Sequence, residues 1–277
     1  MAKTILVVAN ETLGGAPLLA KIKEKAAVED AHVVICVPRT NPRQGNIIYD
    51  EAVFDAAQVR IDLARKIFRE EGIEAIGEVG DPDPYTATMD AIAEHHPDEI
   101  VISTYPAASS GWLRRDLIER IAEATRVPVE HVVVDLDQEG LSFGVTLAVA
   151  NRTAASPALL EALKARTAEL ERHVFIFVVP QEGGHGVAAR QARARLTQVI
   201  DRARAAGLIC AGMIADPDPY TAVINALQFF RVDDIVISTL PATRSGWMRA
   251  DLIERVRRAS NKPVEHVESA DSAEAVA

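Results

Sequence analysis

The chain has 277 residues, of which 48% are apolar and 25% are charged, and its formal net charge is −10. This length and composition are typical of a globular protein with one large core or two ordinary ones. The acidic balance argues against general binding to nucleic acid or to acidic membranes, because both require a basic surface.

Four continuous apolar runs in the first half of the chain predict strands that are buried on both faces, as in a parallel sheet. These runs are Ile5–Ala9, Val33–Val37, Ile100–Ile102 and Val132–Val134. No apolar run approaches the roughly 20 residues that cross a bilayer. The N-terminus also lacks the layout of a signal peptide, so we expect a cytoplasmic protein. Its two cysteines, Cys36 and Cys210, are expected to be buried thiols.

Helices are predicted between these strands. The longest covers Ala52–Glu71, and Gly72 is a suitable residue to follow its end. Asp83 followed by Pro84 predicts the N-cap and the first residue of the next helix. A stripe of apolar residues predicts the last helix over Gly111–Ala124.

The whole pattern occurs twice along the chain. The segment Asp81–Ala87 recurs unchanged 135 residues later as Asp216–Ala222. Nearer the N-terminus, Asn10 matches Asn151 at a spacing of 141 residues, and the difference is most simply placed in the loop Arg39–Asn46. Strands that alternate with helices predict doubly wound parallel sheets.

We therefore predict an α/β protein with two tandem doubly wound, five-stranded, Rossmann-like domains. The first domain is expected to cover residues 1–137 and the second residues 142–269, with a short polar linker between them. Residues 270–277 are small and acidic and are expected to form a flexible tail.

Ligands of doubly wound sheets bind beyond the carboxyl ends of the strands, so polar residues at those positions are the candidate binding residues. Asn10 and Asn151 follow the first strand of each copy, where each either points into the crevice or serves as a turn or N-cap residue. The full set of candidates adds residues at the end of the second strand and in the loop after the fourth strand of each copy. It consists of Asn10, Val37, Ser103, Thr104, Ser110, Arg114, Asn151, Val178, Ser238, Thr239, Ser245 and Arg249.

Two of these candidate pairs concern the start of the last helix. Ser110 and Ser245 are expected to be its N-caps, which places Arg114 and Arg249 in its first turn. Neither arginine has an acid three or four residues later, and such a cation beside helix-terminal N–H groups suits a phosphate. The alternative is an arginine that is solvated or that pairs with an acid from elsewhere.

The other notable residues favour structural roles. The histidines do not cluster at metal-ligand spacing, so no metal site is expected. No Ser/His/Asp or Cys/His signature and no phosphate-binding loop ending in Gly-Lys-Ser/Thr occurs, which favours a protein that is not an enzyme. Trp112 and Trp247, the only tryptophans, either cover the crevices or pack between the domains.

Gly80-Asp81-Pro82, followed by a helix and then by Asp98–Ser103, resembles the third strand, third helix and fourth strand of the universal stress protein family. Asp233–Ser238 repeats the end of this pattern in the second copy, so the resemblance is to the tandem form of the family. It implies a five-stranded parallel sheet between helices and a role in stress response. It also implies a nucleotide ligand, since many members bind ATP, while others do not.

The ATP-binding members carry an Asp at the end of the first strand, where this chain has Asn10 and Asn151. They also carry a glycine-rich loop after the fourth strand. Here other residues stand at the glycine positions, and the closing Gly-Ser pair falls on Arg115-Asp116 and on Ala250-Asp251. Glycine allows the backbone to approach a triphosphate closely. The ligand therefore stays open among ATP, ADP, AMP and another phosphate-bearing molecule.

Our leading hypothesis is a non-catalytic stress-response or regulatory protein that binds a nucleotide or another small anionic ligand in one or both crevices. The alternative is an interaction module of the same fold that has lost nucleotide binding. Family members commonly dimerise through the last strand, so the resemblance implies that Pro128–Val132 pairs with Pro263–Val267 within the chain, and a homodimer is also considered. A third hypothesis, an enzyme of a related nucleotide-binding fold, has no motif in its favour. Neither nucleic acid nor a membrane is expected as a partner.

Overall fold

The structure is a computed structural model of the chain. The described residues are 3–28, 31–39, 50–106, 110–112, 116–168, 172–182, 186–241, 245–249 and 251–269. The predicted tail at 270–277 lies outside them. Contacts divide the described chain into two compact units, one of residues 3–39 and 56–142 and the other of residues 50–55 and 143–269.

The first repeat forms one five-stranded sheet with helices between its strands. The strands are β1 (Lys3–Val8), β2 (Ala31–Pro38), β3 (Ala75–Gly80), β4 (Glu99–Thr104) and β5 (Val129–Val133). The helices are a single 3-10 turn (Glu11–Gly14), α1 (Ala16–Val28), α2 (Asp50–Glu70), α3 (Pro84–His95) and α4 (Leu117–Ala124). The segment predicted as a linker contains one helical turn, α5 (Leu136–Glu139).

The second repeat has the same order of elements. Its strands are β6 (Gly144–Val149), β7 (His173–Pro180), β8 (Ile209–Ala215), β9 (Asp234–Thr239) and β10 (Val264–Glu268). Its helices are α6 (Pro157–Thr167), α7 (Val187–Ala205), α8 (Pro219–Phe229), α9 (Gly246–Arg249) and α10 (Leu252–Ser260).

Both sheets are parallel and share one topology, with strand orders β3-β2-β1-β4-β5 and β8-β7-β6-β9-β10. In the register, Val8 of β1 is paired with Ile102 of β4, and Val149 of β6 with Ile237 of β9. The strand order reverses between these pairs, so the crevice of each doubly wound sheet opens at their carboxyl ends. The predicted fold class is confirmed.

Strands β5 and β10 lie at one edge of their sheets. The pairing of these two strands with each other stays a prediction.

Each repeat has a hydrophobic core of its own. Apolar residues of β1, β2 and β4 form the first core with α3 and α4, and those of β6, β7 and β9 form the second with α6 and α7. Cys36 and Cys210 are fully buried within these cores, which confirms their predicted structural role. Burial, together with the nearby acids Glu78 and Asp90, raises the pKa of the Cys36 thiol to about 12, so the thiol stays protonated and inert.

The repeated Asp-Pro-Asp-Pro segment is structural, as predicted. The carboxylate of Asp83 accepts a hydrogen bond from the backbone N–H of Thr86 at 3.0 Å, and that of Asp218 accepts one from Thr221 at 2.9 Å. Each side chain thus caps the first turn of its helix, α3 or α8. The preceding acid, Asp81, accepts from the N–H of Asp83 at 2.8 Å and closes the turn.

For the predicted last helix, Gly111–Ala124, the predicted first residue is wrong. Helix α4 begins only at Leu117, because Asp116 adopts the left-handed conformation with φ of 50°. In the second repeat, α9 and α10 are separated at Asp251, which has φ of 53°. A residue in that conformation cannot continue a right-handed helix. In the second repeat the apolar stripe therefore spans two helical segments with a break between them.

None of the helices in the described parts of the chain combines the length and the apolar composition needed to cross a membrane.

Candidate ligand-binding site

The carboxyl ends of β6 and β9 border a cavity of about 260 Å³ in the second repeat. The loops that follow these two strands supply most of its lining, together with one acid from the segment after β7. The lining residues are Asn151, Arg152, Thr153, Glu182, Ser238, Thr239, Leu240, Ser245, Gly246 and Trp247. The structure thus brings together four of the predicted residues: Asn151, Ser238, Thr239 and Ser245.

Asn151 is held in place by an arginine that lies outside the predicted set. Its amide oxygen accepts a hydrogen bond from Arg195 Nη1 at 2.5 Å. Arg195 comes from α7, and its Nη2 lies 3.6 Å from Glu182 Oε2. Asn151 itself is only 7% exposed. The amide oxygen therefore fixes the guanidinium group beside the cavity.

The hydroxyl groups of the threonines serve the local fold. Thr153 donates to the carbonyl of Ser238 at 3.0 Å, which ties the loop after β6 to the end of β9. Thr239 Oγ1 lies 2.8 Å from the carbonyl oxygen of Leu240 and 2.8 Å from His266 Nε2. A carbonyl only accepts, so the hydroxyl donates to it and the imidazole N–H donates to the hydroxyl. The only proton of the Thr239 hydroxyl is therefore already engaged.

The first repeat has the same contacts of a threonine hydroxyl with a carbonyl and a histidine, but the residues at the opening of its crevice differ. Thr104 Oγ1 lies 2.8 Å from the carbonyl of Tyr105 and 2.9 Å from His131 Nε2. Burial lowers the pKa of His131, which favours its neutral form. Asn10 is buried like Asn151, but its amide donates to the carbonyl of Pro38 at 2.9 Å.

Tyr105 and Glu11 join the two loops of the first crevice. The Tyr105 hydroxyl donates to Glu11 Oε2 at 3.0 Å. The sequence of the second repeat has Leu240 and Arg152 at the matching positions. These two exchanges replace a hydrogen-bonded pair by an apolar residue and a cation.

An arginine stands at the same position of the long helix in both repeats. Arg60 of α2 and Arg195 of α7 are 135 residues apart, and the residue after each, Ile61 or Leu196, packs against a glycine of the neighbouring strand. Burial lowers the pKa of Arg60, while the nearby Glu11 and Tyr105 oppose that shift. Each crevice therefore has a cation at its edge with an acid near it, Glu11 in the first repeat and Glu182 in the second.

The serines at the ends of β4 and β9 differ in their contacts. Ser103 is 1% exposed, and its hydroxyl has no hydrogen-bond partner among the described residues. Ser238 is equally buried, and its hydroxyl donates to Ser269 Oγ at 3.1 Å. At the position of Ser269 the first repeat has Val134, which cannot accept a hydrogen bond.

The remaining predicted residues lie away from the cavity lining or outside the described structure. Val37 and Val178 are fully buried within β2 and β7. Arg114 lies outside the described residues. Arg249 is the last residue of the short helix α9, so its predicted place in the first turn of the long helix is wrong, and its side chain is not among those described.

The predicted helix caps are also corrected. Ser110 and Ser245 are buried, but the residues that precede α4 and α10 are Asp116 and Asp251. The break described above moves the start of the long helix by several residues toward the C-terminus. Ser245 directly precedes α9 and faces the cavity.

One group of potential metal ligands occurs among the described residues, away from the crevice. Single ligand atoms of Glu78, Glu94 and His95 lie within 4.8 Å of one another. His95 Nε2 is 3.0 Å from Glu78 Oε2, so a hydrogen bond between the two side chains already accounts for their proximity. The second repeat has Met213 and two phenylalanines at the matching positions, so the group is peculiar to the first repeat.

Sequence reasoning missed Arg152, Arg195 and Glu182 as residues of this site. Arg195 lies in the middle of a helix, where an arginine is usually on a solvated face. The sequence could have pointed to Arg195 through its match to Arg60 in the alignment of the repeats. For Arg152, which directly follows Asn151, the available signal was its difference from Glu11 at the matching position.

No protein-family model and no curated protein matches the sequence. Solved structures are similar to it. A universal stress protein from Archaeoglobus fulgidus DSM 4304 covers 97% of this chain with 97% of its own, at 16% identity and a TM-score of 0.35. The chain resembles universal stress proteins.

Two shorter structures match about one half of the chain. A universal stress protein from Archaeoglobus fulgidus covers 49% of this chain with 95% of its own, at 21% identity and a TM-score of 0.36. A universal stress protein in complex with cAMP covers 47% with 96% of its own, at 16% identity and a TM-score of 0.32.

The residue after β6 and Ala150 is Asn151, whose side chain carries no charge. Its neutral amide accepts one hydrogen bond from Arg195 and leaves the positive charge of the guanidinium in place. An Asp at this position would neutralise that charge. Asn151 therefore keeps the edge of the second crevice basic.

Proposed function

We propose that this chain is a non-catalytic protein of the universal stress type whose second crevice binds a small phosphate-bearing ligand such as an adenine nucleotide. One observation carries the proposal. The cavity at the carboxyl ends of β6 and β9 is lined by Arg152, and Asn151 holds Arg195 at its edge.

The residues of the cavity offer the donors that a phosphate requires. Guanidinium groups bind phosphate oxygens through parallel N–H donors, and such charge-assisted hydrogen bonds are stronger than neutral ones. Ser245 adds a hydroxyl group to the lining. Glu182 lies 3.6 Å from Arg195 Nη2, a distance at which it partly offsets one of the two cations. Two arginines and one acid thus lie at or beside the cavity, and this positive balance favours the negative charge of a phosphate group.

The size and the aromatic wall of the cavity favour a mononucleotide. Small-molecule sites commonly have volumes of about 300–1,000 Å³, and the cavity of about 260 Å³ lies just below that range. Trp247 lines it and presents an aromatic surface on which a base can stack. A ligand with one base and one phosphate group fits these features better than one with an extended triphosphate.

The lining offers little for catalysis. Its ten residues include no histidine, cysteine or lysine. The Thr239 hydroxyl donates to a carbonyl, so no base withdraws its proton. A nucleophile needs an adjacent base or a lowered pKa, and the one carboxylate of the lining, that of Glu182, lies beside Arg195 instead. This supports binding without turnover.

Isothermal titration calorimetry with AMP, ADP, ATP, cAMP and inorganic phosphate tests the proposal. cAMP is included because it is the ligand of one of the similar structures. We expect AMP to bind, and Arg195→Met to weaken its binding about 10- to 100-fold, as expected when a charged hydrogen bond worth about 1.5–3 kcal/mol is lost.

Arg204→Met is the matched control. This arginine is exposed near the end of the same helix, and its loss changes the net charge equally. It should leave the Kd for AMP unchanged. The absence of heat with all five ligands would contradict the proposal and would favour an interaction module. Release of phosphate or base from a nucleotide would contradict the non-catalytic part.

A further inference from the structure

We propose that the two repeats have diverged, so that the second crevice binds the anionic ligand while Glu11 and Tyr105 close the first crevice to it. This inference rests on the proposed function, because it assigns that function to one of the two copies. It makes the chain a carrier of one ligand rather than two.

The first argument is the charge of the residue that directly follows the matched asparagine in each repeat. Glu11 follows Asn10, whereas Arg152 follows Asn151. The side chain at this position therefore differs by two elementary charges between the copies. A carboxylate at the mouth of the crevice repels a phosphate, and an arginine attracts it.

The second argument is the contact that Glu11 makes. Its carboxylate accepts a hydrogen bond from the Tyr105 hydroxyl at 3.0 Å, which links the loop after β1 to the loop after β4. These strands are neighbours in the sheet, and the crevice opens between their carboxyl ends. Leu240, at the matching position of the second repeat, cannot form this link. The link therefore crosses the first crevice at the place where the second has its cavity.

The third argument is the neighbours of the two matched arginines, Arg60 and Arg195. Arg60 has the carboxylate of Glu11 close enough to oppose the effect of burial on its pKa. Arg195 is hydrogen-bonded to the neutral Asn151, and its acid, Glu182, is 3.6 Å away. Each of these arginines therefore has an acid near it. The difference lies at the residue after the first strand, where the first repeat has the acid Glu11 and the second repeat has a further cation, Arg152.

Titration calorimetry with AMP measures the number of sites per chain. We expect one site in the natural protein. Arg152→Glu should raise the Kd at least tenfold or abolish the heat, and Glu11→Gln should leave both the Kd and the stoichiometry unchanged. Arg204→Glu, at an exposed position of α7, controls for the change in net charge.

A reciprocal exchange makes the test independent of any single variant. Arg152→Glu with Leu240→Tyr should close the second crevice and leave no site. Glu11→Arg with Tyr105→Leu should open the first and raise the stoichiometry toward two. Circular dichroism melts would show which variants fold, and either exchange alone suffices to decide.

The outcomes separate the two proposals. Two sites in the natural protein, or binding that survives Arg152→Glu but is lost in Glu11→Gln, would overturn the assignment to the second repeat and leave the proposed function standing. No binding of AMP to the natural protein or to the chain with the opened first crevice would overturn the proposed function itself.

Discussion

At the scale of single residues, the two repeats provide a controlled comparison of one buried hydroxyl. Ser103 and Ser238 end equivalent strands and are both 1% exposed. Only Ser238 has a partner in the described structure, the hydroxyl of Ser269 at 3.1 Å. Burial of a polar group without a hydrogen bond costs free energy, whereas a satisfied hydroxyl contributes a net stabilisation.

We therefore predict opposite effects for the same substitution. Ser238→Ala should lower the free energy of unfolding by about 0.5–1.5 kcal/mol, because it breaks a hydrogen bond and leaves the buried Ser269 hydroxyl without this partner. Ser103→Ala should leave that free energy unchanged or raise it, because it removes an unsatisfied group. Urea denaturation of both variants measures the difference. Equal losses of stability would show that Ser103 has a partner after all.

At the scale of elements, an ion-pair cluster joins α1 to the N-terminal ends of β4 and β5. Lys25 contacts both Glu99 and Glu130, and Lys3 lies 2.9 Å from Glu99. Burial raises the pKa of Glu99, but hydrogen bonds from the two lysines outweigh it and leave the pKa below its usual value of 4.5. The hydrogen bond from Lys25 also lowers the pKa of Glu130.

Lowered carboxylate pKa values give a definite dependence of stability on pH. The contribution of this cluster is fully present above about pH 4.5 and is lost as the pH falls through the lowered pKa of Glu99 and Glu130. Lys25→Met should therefore cost about 1–2 kcal/mol at neutral pH, between the values of exposed and buried charged hydrogen bonds. The cost should shrink as the carboxylates become protonated.

Urea denaturation of Lys25→Met and the natural protein from pH 3 to pH 7 measures this cost. Lys164→Met is the control, because Lys164 pairs with the exposed Glu161 on its own helix. Its effect should stay within about 0.5 kcal/mol over the whole range. A cost of Lys25→Met that does not change with pH would mean that packing of the lysine stem, rather than its charge, stabilises the cluster.

Elements of regular pattern could be predicted from the sequence, and irregular ones could not. Apolar runs located four of the five strands of the first repeat, β1, β2, β4 and β5. Asp83 and Asp218 could be predicted as caps because each precedes a proline at the first position of a helix. The break at Asp116 and Asp251 was missed because the apolar stripe continues on both sides of it. Periodicity does not report a single left-handed residue, although Asp tolerates that conformation better than most residues.

At the scale of the whole molecule, the duplication and the doubly wound fold were predictable, but the difference between the copies was not. The exchange of Glu11 for Arg152 is visible in an alignment of the repeats. Its meaning depends on which loops lie together, and that is set by the register of β1 with β4 and of β6 with β9. The sequence left open whether one or both crevices bind a ligand, and the proposed assignment to the second crevice rests on residues that differ between the copies.

A ligand that binds only the second repeat should stabilise the two units unequally. Each repeat has its own sheet and its own core, so we expect the two to open as separate cooperative units. AMP at 100 times its Kd should stabilise the binding unit by about 2.7 kcal/mol. Hydrogen exchange followed by mass spectrometry should then show amides of β6, β7 and β9 exchanging up to about 100-fold more slowly. Those of β1, β2 and β4 should be unchanged. Equal protection of both sheets would mean that the two repeats unfold as one cooperative unit.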